Sequence, residues 1–152
     1  MPVTNSNTGA FSVGLDCQLV IIGAGALGRV DLSNVTGFEC DPEFADVKVD
    51  RLDGIQLFGR LPKGWRGGFD LERGDGSADL LQNALELSWY GTGRVTTGIV
   101  YQYITEVNGS QTAYSYPGAV IWLERAGRWQ GDATVRQRVG MWALRRVPVG
   151  SR

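Results

Sequence analysis

The sequence predicts a mainly β protein, an antiparallel sandwich or barrel with one flanking α-helix. Three observations predict it. Glycine stands at 22 of 152 residues, about twice ordinary usage, which suits many turns and short strands. β-Branched and aromatic residues fill 95–107 and 110–116 around the turn dipeptide Asn108-Gly109. A helical apolar period occurs in one segment alone. Hydrophobic residues at 43% and charged residues at 20% fit a globular chain, and this length can bury a core without disulfide staples. We expect one β-rich domain over residues 15–152, preceded by a polar, mobile arm at 1–14.

The elements follow in order. Cys17 to Ile22 is an apolar strand, and Arg29 to Leu32 can partner it across the glycines between them. Val35 to Cys40 and Val47 to Val49 are short strand candidates. Residues 53–68, DGIQLFGRLPKGWRGG, hold five glycines and a proline and form a Gly-rich loop or an extended hairpin. Phe69 to Glu72 begins another strand. The helix covers about 77–90. Ser77 or Asp75 can cap it, and Asp79 places negative charge in the first turn. Ala78, Leu81, Leu85 and Trp89 form its apolar stripe, and Gly91 ends it.

A two-residue type I′ loop at Asn108-Gly109 would set Val107 opposite Ser110. Thr105 then faces Thr112, Tyr103 faces Tyr114, and Tyr101 faces Tyr116, so four tyrosines share one face. Ala119 to Glu124 is a further strand. Ala133 to Val147 closes the domain with Val135, Val139, Met141 and Ala143 on one face and Arg136, Arg138 and Arg146 on the other.

Composition excludes much chemistry. The chain has no histidine, which removes His-dependent triads, His-ligated metals and histidine pH switching. Cys17 and Cys40 make no CxxC pattern and suit buried, reduced thiols. A net charge of −1 does not suit a general nucleic-acid binder. Arginine outnumbers lysine heavily, which favours planar multi-donor contacts to carboxylates. The first residues lack the basic and apolar regions of a signal peptide, and no apolar run is long enough to span a membrane.

One motif imitates chemistry. In QLVIIGAGALGR, Gly23, Gly25 and Gly28 match G-x-G-x-x-G behind an apolar strand, with Glu39 and Asp41 at a distance that suits a ribose contact. The motif works only where a helix begins within the glycines and offers its N–H groups to a pyrophosphate. The next residues, RVDLSNVTG, are poor helix formers, and no βαβ series follows. We therefore expect a Gly-rich turn between two strands. Asp41, Glu43, Asp46, Asp50 and Asp53 are acidic neighbours without calcium-loop spacing, which suits a solvated edge. We expect no catalytic set, no metal and no cofactor.

Several pieces together carry a family likeness: LPKGW followed by GGFDLER, the helix, the hairpin GIVYQYITEVNGSQTAYSYPG, and ERAGRWQGDATVRQRV. In this order they resemble a bacteriophage tail tube protein, over about residues 15–147. The glycine run at 23–28 departs from that pattern. The resemblance implies a β-barrel or sandwich with a flanking helix. It implies homo-hexameric rings stacked into a hollow tube for DNA ejection, in a phage tail assembled in the host cytoplasm. Implied partners are further copies of the chain and other tail proteins, namely tape measure, terminator, baseplate and a possible sheath. DNA would be met only in passage. The alternatives are another ring-forming tail component, such as a baseplate or terminator ring, and a dinucleotide-binding protein using Gly23–Gly28.

With that resemblance, bulky apolar groups in the Gly-rich segment suggest contacts between subunits: Phe58, Leu61 and Trp65, with Arg66 beside them. The arm at 1–14 suggests another. Val95 to Glu124 holds no lysine or arginine, a property that suits a channel for phosphate-rich DNA. In the register above, Gln102, Glu106, Gln111 and Ser115 fall opposite the tyrosine face and are the expected channel-facing residues.

Overall fold

The computed structural model describes residues 34–149 with their side chains, and the strand backbone at 3–5, 9–11, 17–23, 29–30 and 150–151. In chain order the strands are β1 (Val3–Asn5), β2 (Gly9–Phe11), β3 (Cys17–Gly23), β4 (Arg29–Val30), β5 (Val35–Asp50) and β6 (Gln56–Glu72). The helix α1 (Ser77–Thr92) precedes β7 (Gly98–Thr105), β8 (Gln111–Arg125), β9 (Arg136–Ala143) and β10 (Val147–Ser151). The mainly antiparallel β fold with one helix is as the sequence predicts.

β1 and β2, within the segment expected as a mobile arm, pair with each other as a short two-stranded ladder. The other strands run in the order β4-β3-β7-β8-β9-β6-β5, with β10 also on β8. Every described pairing is antiparallel. β8 changes neighbours along its length. Its first half pairs with β7 and β10, and its second half pairs with β9. The change falls between Ala119 and Val120, just after Pro117-Gly118, where proline has no N–H to give and Gly118 takes φ +65°.

This bend curls the sheet over its own core. Tyr116 from β8 meets Phe38 of β5 and Trp65 of β6 edge-on, at ring separations of 6.2 and 6.0 Å. Phe69, Leu71, Val100, Val139 and Met141 fill the same interior, and Ala78 and Leu81 bring the helix onto it. Alternation along β9 buries Val139, Met141 and Ala143 and leaves Trp142 exposed, as the period of a half-buried strand requires. Gln137, also on the inward face, is held by Nε2 donating to Asp79 Oδ1 and to the carbonyl of Ala126.

Several expectations change. Two short strands at 35–40 and 47–49 are one strand of 16 residues, β5. The Gly-rich stretch 53–68 is an extended hairpin rather than a loop, because it is nearly all strand from Gln56 onward. Glycine persists there because Cβ atoms would collide: one on Gly67 would strike the backbone of Glu39 and Cys40. Ala119 to Glu124 belongs to the same strand as 111–118. The closing strand stops at Ala143, and Val147 starts another. The helix runs through Gly91 and ends at Gly93, which adopts the left-handed conformation. Asp75 accepts a bond from the Ser77 N–H, while Gly76 occupies the N-cap position.

The 107–110 register slips by one residue. Glu106 and Ser110 bracket a three-residue loop, with the Glu106 N–H donating to the Ser110 carbonyl at 2.8 Å. A type I′ turn needs positive φ at both central residues, yet only Gly109 has it, at +84°. The Asn108 side chain instead accepts the Ser110 N–H at 2.9 Å, a local bond that favours the longer loop. Tyr103 therefore faces Ala113, Tyr101 faces Ser115, and Gln102 faces Tyr114. Tyr101 and Tyr103 lie on one face, Tyr114 and Tyr116 on the other.

Candidate assembly surface

β5 and β6 outrun the sheet that supports them. β9 pairs with β6 only between Trp65 and Glu72. Beyond Trp65 the two strands continue as a ribbon, paired from Phe44↔Pro62 to Asp50↔Gln56. At about 3.4 Å per residue the ribbon projects roughly 24 Å. Two-stranded ribbons are marginal in water unless something covers a face.

The two faces of the ribbon differ. Opposed residues share a face, so Asp46, Arg60, Lys48, Phe58 and Phe44 lie together. That face satisfies itself. Arg60 Nε donates to Asp46 Oδ1 at 2.9 Å and its guanidinium sits 4.5 Å from the Phe44 ring. Lys48 Nζ lies 6.0 Å from the Phe58 ring. The other face carries Ala45, Val47, Val49, Leu57 and Leu61 and no charge. Val49, Leu57 and Leu61 are each about half exposed, at 49%, 48% and 50%. At the turn, Ile55 and Leu52 are also exposed.

The residues expected to contact neighbours divide on this geometry. Phe58 and Leu61 stand on the ribbon, exposed on opposite faces. Arg66 is exposed at the base, its guanidinium 5.6 Å from the Trp142 ring. Trp65 turns inward instead. It packs on the core, and Arg146 lies between it and Tyr114, 4.4 and 4.2 Å from the two rings. A bulky ring in a Gly-rich segment is explained here by the chain's own core.

The expected channel-facing set also divides. Gln102 and Glu106 fall on the core side of the β7–β8 hairpin. Gln102 Oε1 accepts the hydroxyl of Tyr116, which is 1% exposed, and Glu106 Oε1 accepts the Thr112 hydroxyl. Gln111 and Ser115 lie on the opposite face, with Tyr101 and Tyr103. The one-residue register slip is the reason.

The sequence reading missed Val47, Val49 and Leu57. Their signal was the alternation ADVKVD at 45–50, read only as a three-residue strand. It also missed a groove of about 370 Å³ between α1 and β8. Leu85, Trp89, Val95, Ile121 and Trp122 make its apolar lining, with Glu86 and Arg94 among the lining residues. The groove exists because β7 pairs with β8 only as far as Ala119. Past that point α1 stands beside the strand, and Gln82 Oε1 accepts the Leu123 N–H at 2.9 Å.

On the outward face of the sheet, Arg138 joins four strands. It donates to Glu39 of β5 at 2.6 Å, Asp70 of β6 at 2.8 Å and Glu124 of β8 at 3.0 Å. These bonds push its already high pKa further up. Burial, followed by the nearby Asp41 charge, raises the Cys40 thiol pKa from 9.0 to about 11, while Arg146 opposes the rise.

Other sequence candidates are not assembled into sites. The acidic residues of β5 do not converge: Asp46 pairs with Arg60, and Asp53 pairs with Arg51. Among the described residues no cluster suited to a metal ion occurs. Gly23, the first fingerprint glycine, closes β3, and the strand β4 at Arg29–Val30 pairs antiparallel with it. Residues 24–28 lie outside the described residues, but a strand stands where the fingerprint needs a helix. No helix among the described residues is long and apolar enough to cross a membrane.

Comparison with known proteins places the fold. No protein-family model matches the chain, and no curated protein matches it. Solved structures do. One is a chain of the PVC sheath–tube complex of an extracellular contractile injection system in its extended state. It is 9% identical, with 88% of both chains covered and a TM-score of 0.59. A chain of the sheath/tube terminator of that system is also 9% identical, over 92% of this chain and 98% of that one, with a TM-score of 0.59. A chain of the six-fold symmetrised baseplate of the anti-feeding prophage is 9% identical, over 93% and 94%, with a TM-score of 0.55. The class is therefore a β-rich tail-tube fold, of the kind found in the tube, terminator and baseplate assemblies of contractile injection systems.

Proposed function

We propose that this chain is a structural subunit that self-assembles into six-membered rings stacked as a hollow phage tail tube, the conduit for DNA ejection. The observation that carries the reading is the β5–β6 ribbon. It leaves its own sheet, keeps one face apolar and uncharged, and needs a cover that other copies can supply. β5 is also a long edge strand, and pairing between subunits would remove that liability. The six-fold symmetry of a structural neighbour supports six subunits per ring.

Phe58, Leu61 and Arg66, with residues 1–14, are the assigned contacts between subunits. Gln111 and Ser115 are retained for the channel wall. DNA passes without specific binding, and the subunit requires no cofactor and performs no catalysis. Its place is the virion tail, with the tape measure, terminator and baseplate as partners.

The purified protein should form rings and tubes by negative-stain microscopy. A chain that stays monomeric at every concentration tested overturns the reading. A second reading, as a terminator or baseplate ring, is favoured by likeness to chains from those assemblies. Copy number in purified particles separates the two, since a tube subunit greatly outnumbers a single ring.

A further inference from the structure

We infer that the apolar face of the β5–β6 ribbon seats in the groove between α1 and β8 of a second copy of this chain. The inference rests on the self-assembly reading above and names the surface that receives the ribbon.

The ribbon presents Val47, Val49, Leu57 and Leu61 without a charge among them. Its charged residues sit on the other face, where Asp46 and Arg60 already pair. Docking the apolar face therefore strips water from hydrocarbon and leaves the ion pair in solvent, which avoids the desolvation penalty of burying charge. The groove is complementary. Leu85, Trp89, Val95, Ile121 and Trp122 supply its apolar surface. Trp89 and Val95 are 52% and 62% exposed, so much of that surface is still in water.

The edge of β8 adds a second kind of complementarity. The Leu123 N–H points away from β9, because it donates to Gln82. Strand alternation aims the backbone groups of Ile121 the same way, toward the groove. The free edge of an incoming strand can meet them. Among the described residues the ribbon has no sheet neighbour past Trp65, whereas α1 lies over the far end of β8. On the self-assembly reading the occupant is then another copy.

The test uses the full chain. Two single variants, Val47→Cys and Val95→Cys, are made, one of them isotopically heavy, and assembled together before mild oxidation. Peptide mass spectrometry should find a disulfide between residue 47 of one chain and residue 95 of the other, in mixed assemblies only. Hydrogen exchange on the unmodified chain supplies an independent readout. Assembly should slow exchange at least tenfold in both 45–61 and 119–123. Tubes that form without the cross-link, or with protection of the ribbon alone, overturn the inference while leaving self-assembly intact. A chain that never assembles overturns both. A small molecule released from the unmodified protein at one per chain, with 119–123 already protected in the monomer, also overturns it.

Discussion

Arg138 Nη1 donates to Asp70 Oδ1 at 2.8 Å, joining β9 to β6 on the sheet face that lies away from the core. The same guanidinium reaches Glu39 and Glu124, so one side chain neutralises three carboxylates drawn from three other strands. Only arginine offers enough donors in one plane to do this.

Replacing Arg138 should therefore cost stability in an order set by geometry. Arg138→Met leaves three carboxylates close together with no cation. We expect a loss of about 1–2 kcal/mol, toward the low end for charged hydrogen bonds because the carboxylates are open to water. Arg138→Lys should recover part of it, since one ammonium cannot reach all three partners in a single plane. Denaturant midpoints measured with and without high salt check this. An unchanged midpoint for Arg138→Met would show the network to be ornamental.

Gly67→Ala should be more damaging than any surface change. Its Cβ would run into the backbone of Glu39 and Cys40, which cannot rotate aside as a side-chain end can. Overpacking against backbone costs about 3 kcal/mol. The variant should lose most of its soluble yield or show a much lower melting temperature. Gly59→Ala is the control, because nothing lies within 4 Å of a Cβ there.

Cys40 makes stability depend on alkaline pH. Its thiol ionises near 9.0 when unfolded and near 11 when folded. Between those values the unfolded chain binds fewer protons, so stability falls as pH rises from about 9 to about 11 and is unaffected by this group below 9. The difference in melting temperature between the parent and Cys40→Ala should accordingly change over that window and be flat at lower pH. Alkylation of the folded thiol at pH 8 should be slow, because little thiolate exists there.

Two lysine substitutions on one hairpin should behave oppositely. Gln102→Lys removes the acceptor of the Tyr116 hydroxyl and brings a charge to the core face, so we expect a loss of about 1–3 kcal/mol. Gln111→Lys with Ser115→Lys lies on the other face and should leave the fold intact. If that face lines the channel, tails built from the double variant should eject DNA more slowly, and salt should relieve the delay by screening phosphate attraction. Normal ejection at low salt removes Gln111 and Ser115 from the channel wall.

The sequence by itself determined the fold class, the single helix, the buried alternation of β9 and the position of the 107–110 turn. Each depends on local period or turn chemistry, which neighbouring residues carry without help from the rest of the chain. Stripe positions such as Ala78 and Leu81 were legible for that reason, as were Val139 and Met141. The tertiary structure alone decided the rest. The hairpin register turned on whether Asn108 spent its side chain on the Ser110 N–H, a choice that puts Tyr101 and Tyr103 on the face opposite Tyr114 and Tyr116. Trp65 looked like a surface anchor because its neighbours are glycines, yet those glycines let strands approach closely enough to pack its partly buried ring against Tyr116. Strand length in β5 and β6 was hidden because pairing across the hairpin, and not local propensity, carries Pro42 and the glycines through extended structure. The uncharged ribbon face and the groove beside β8 come from where β9 and β7 stop pairing, and pairing limits are a property of the assembled sheet.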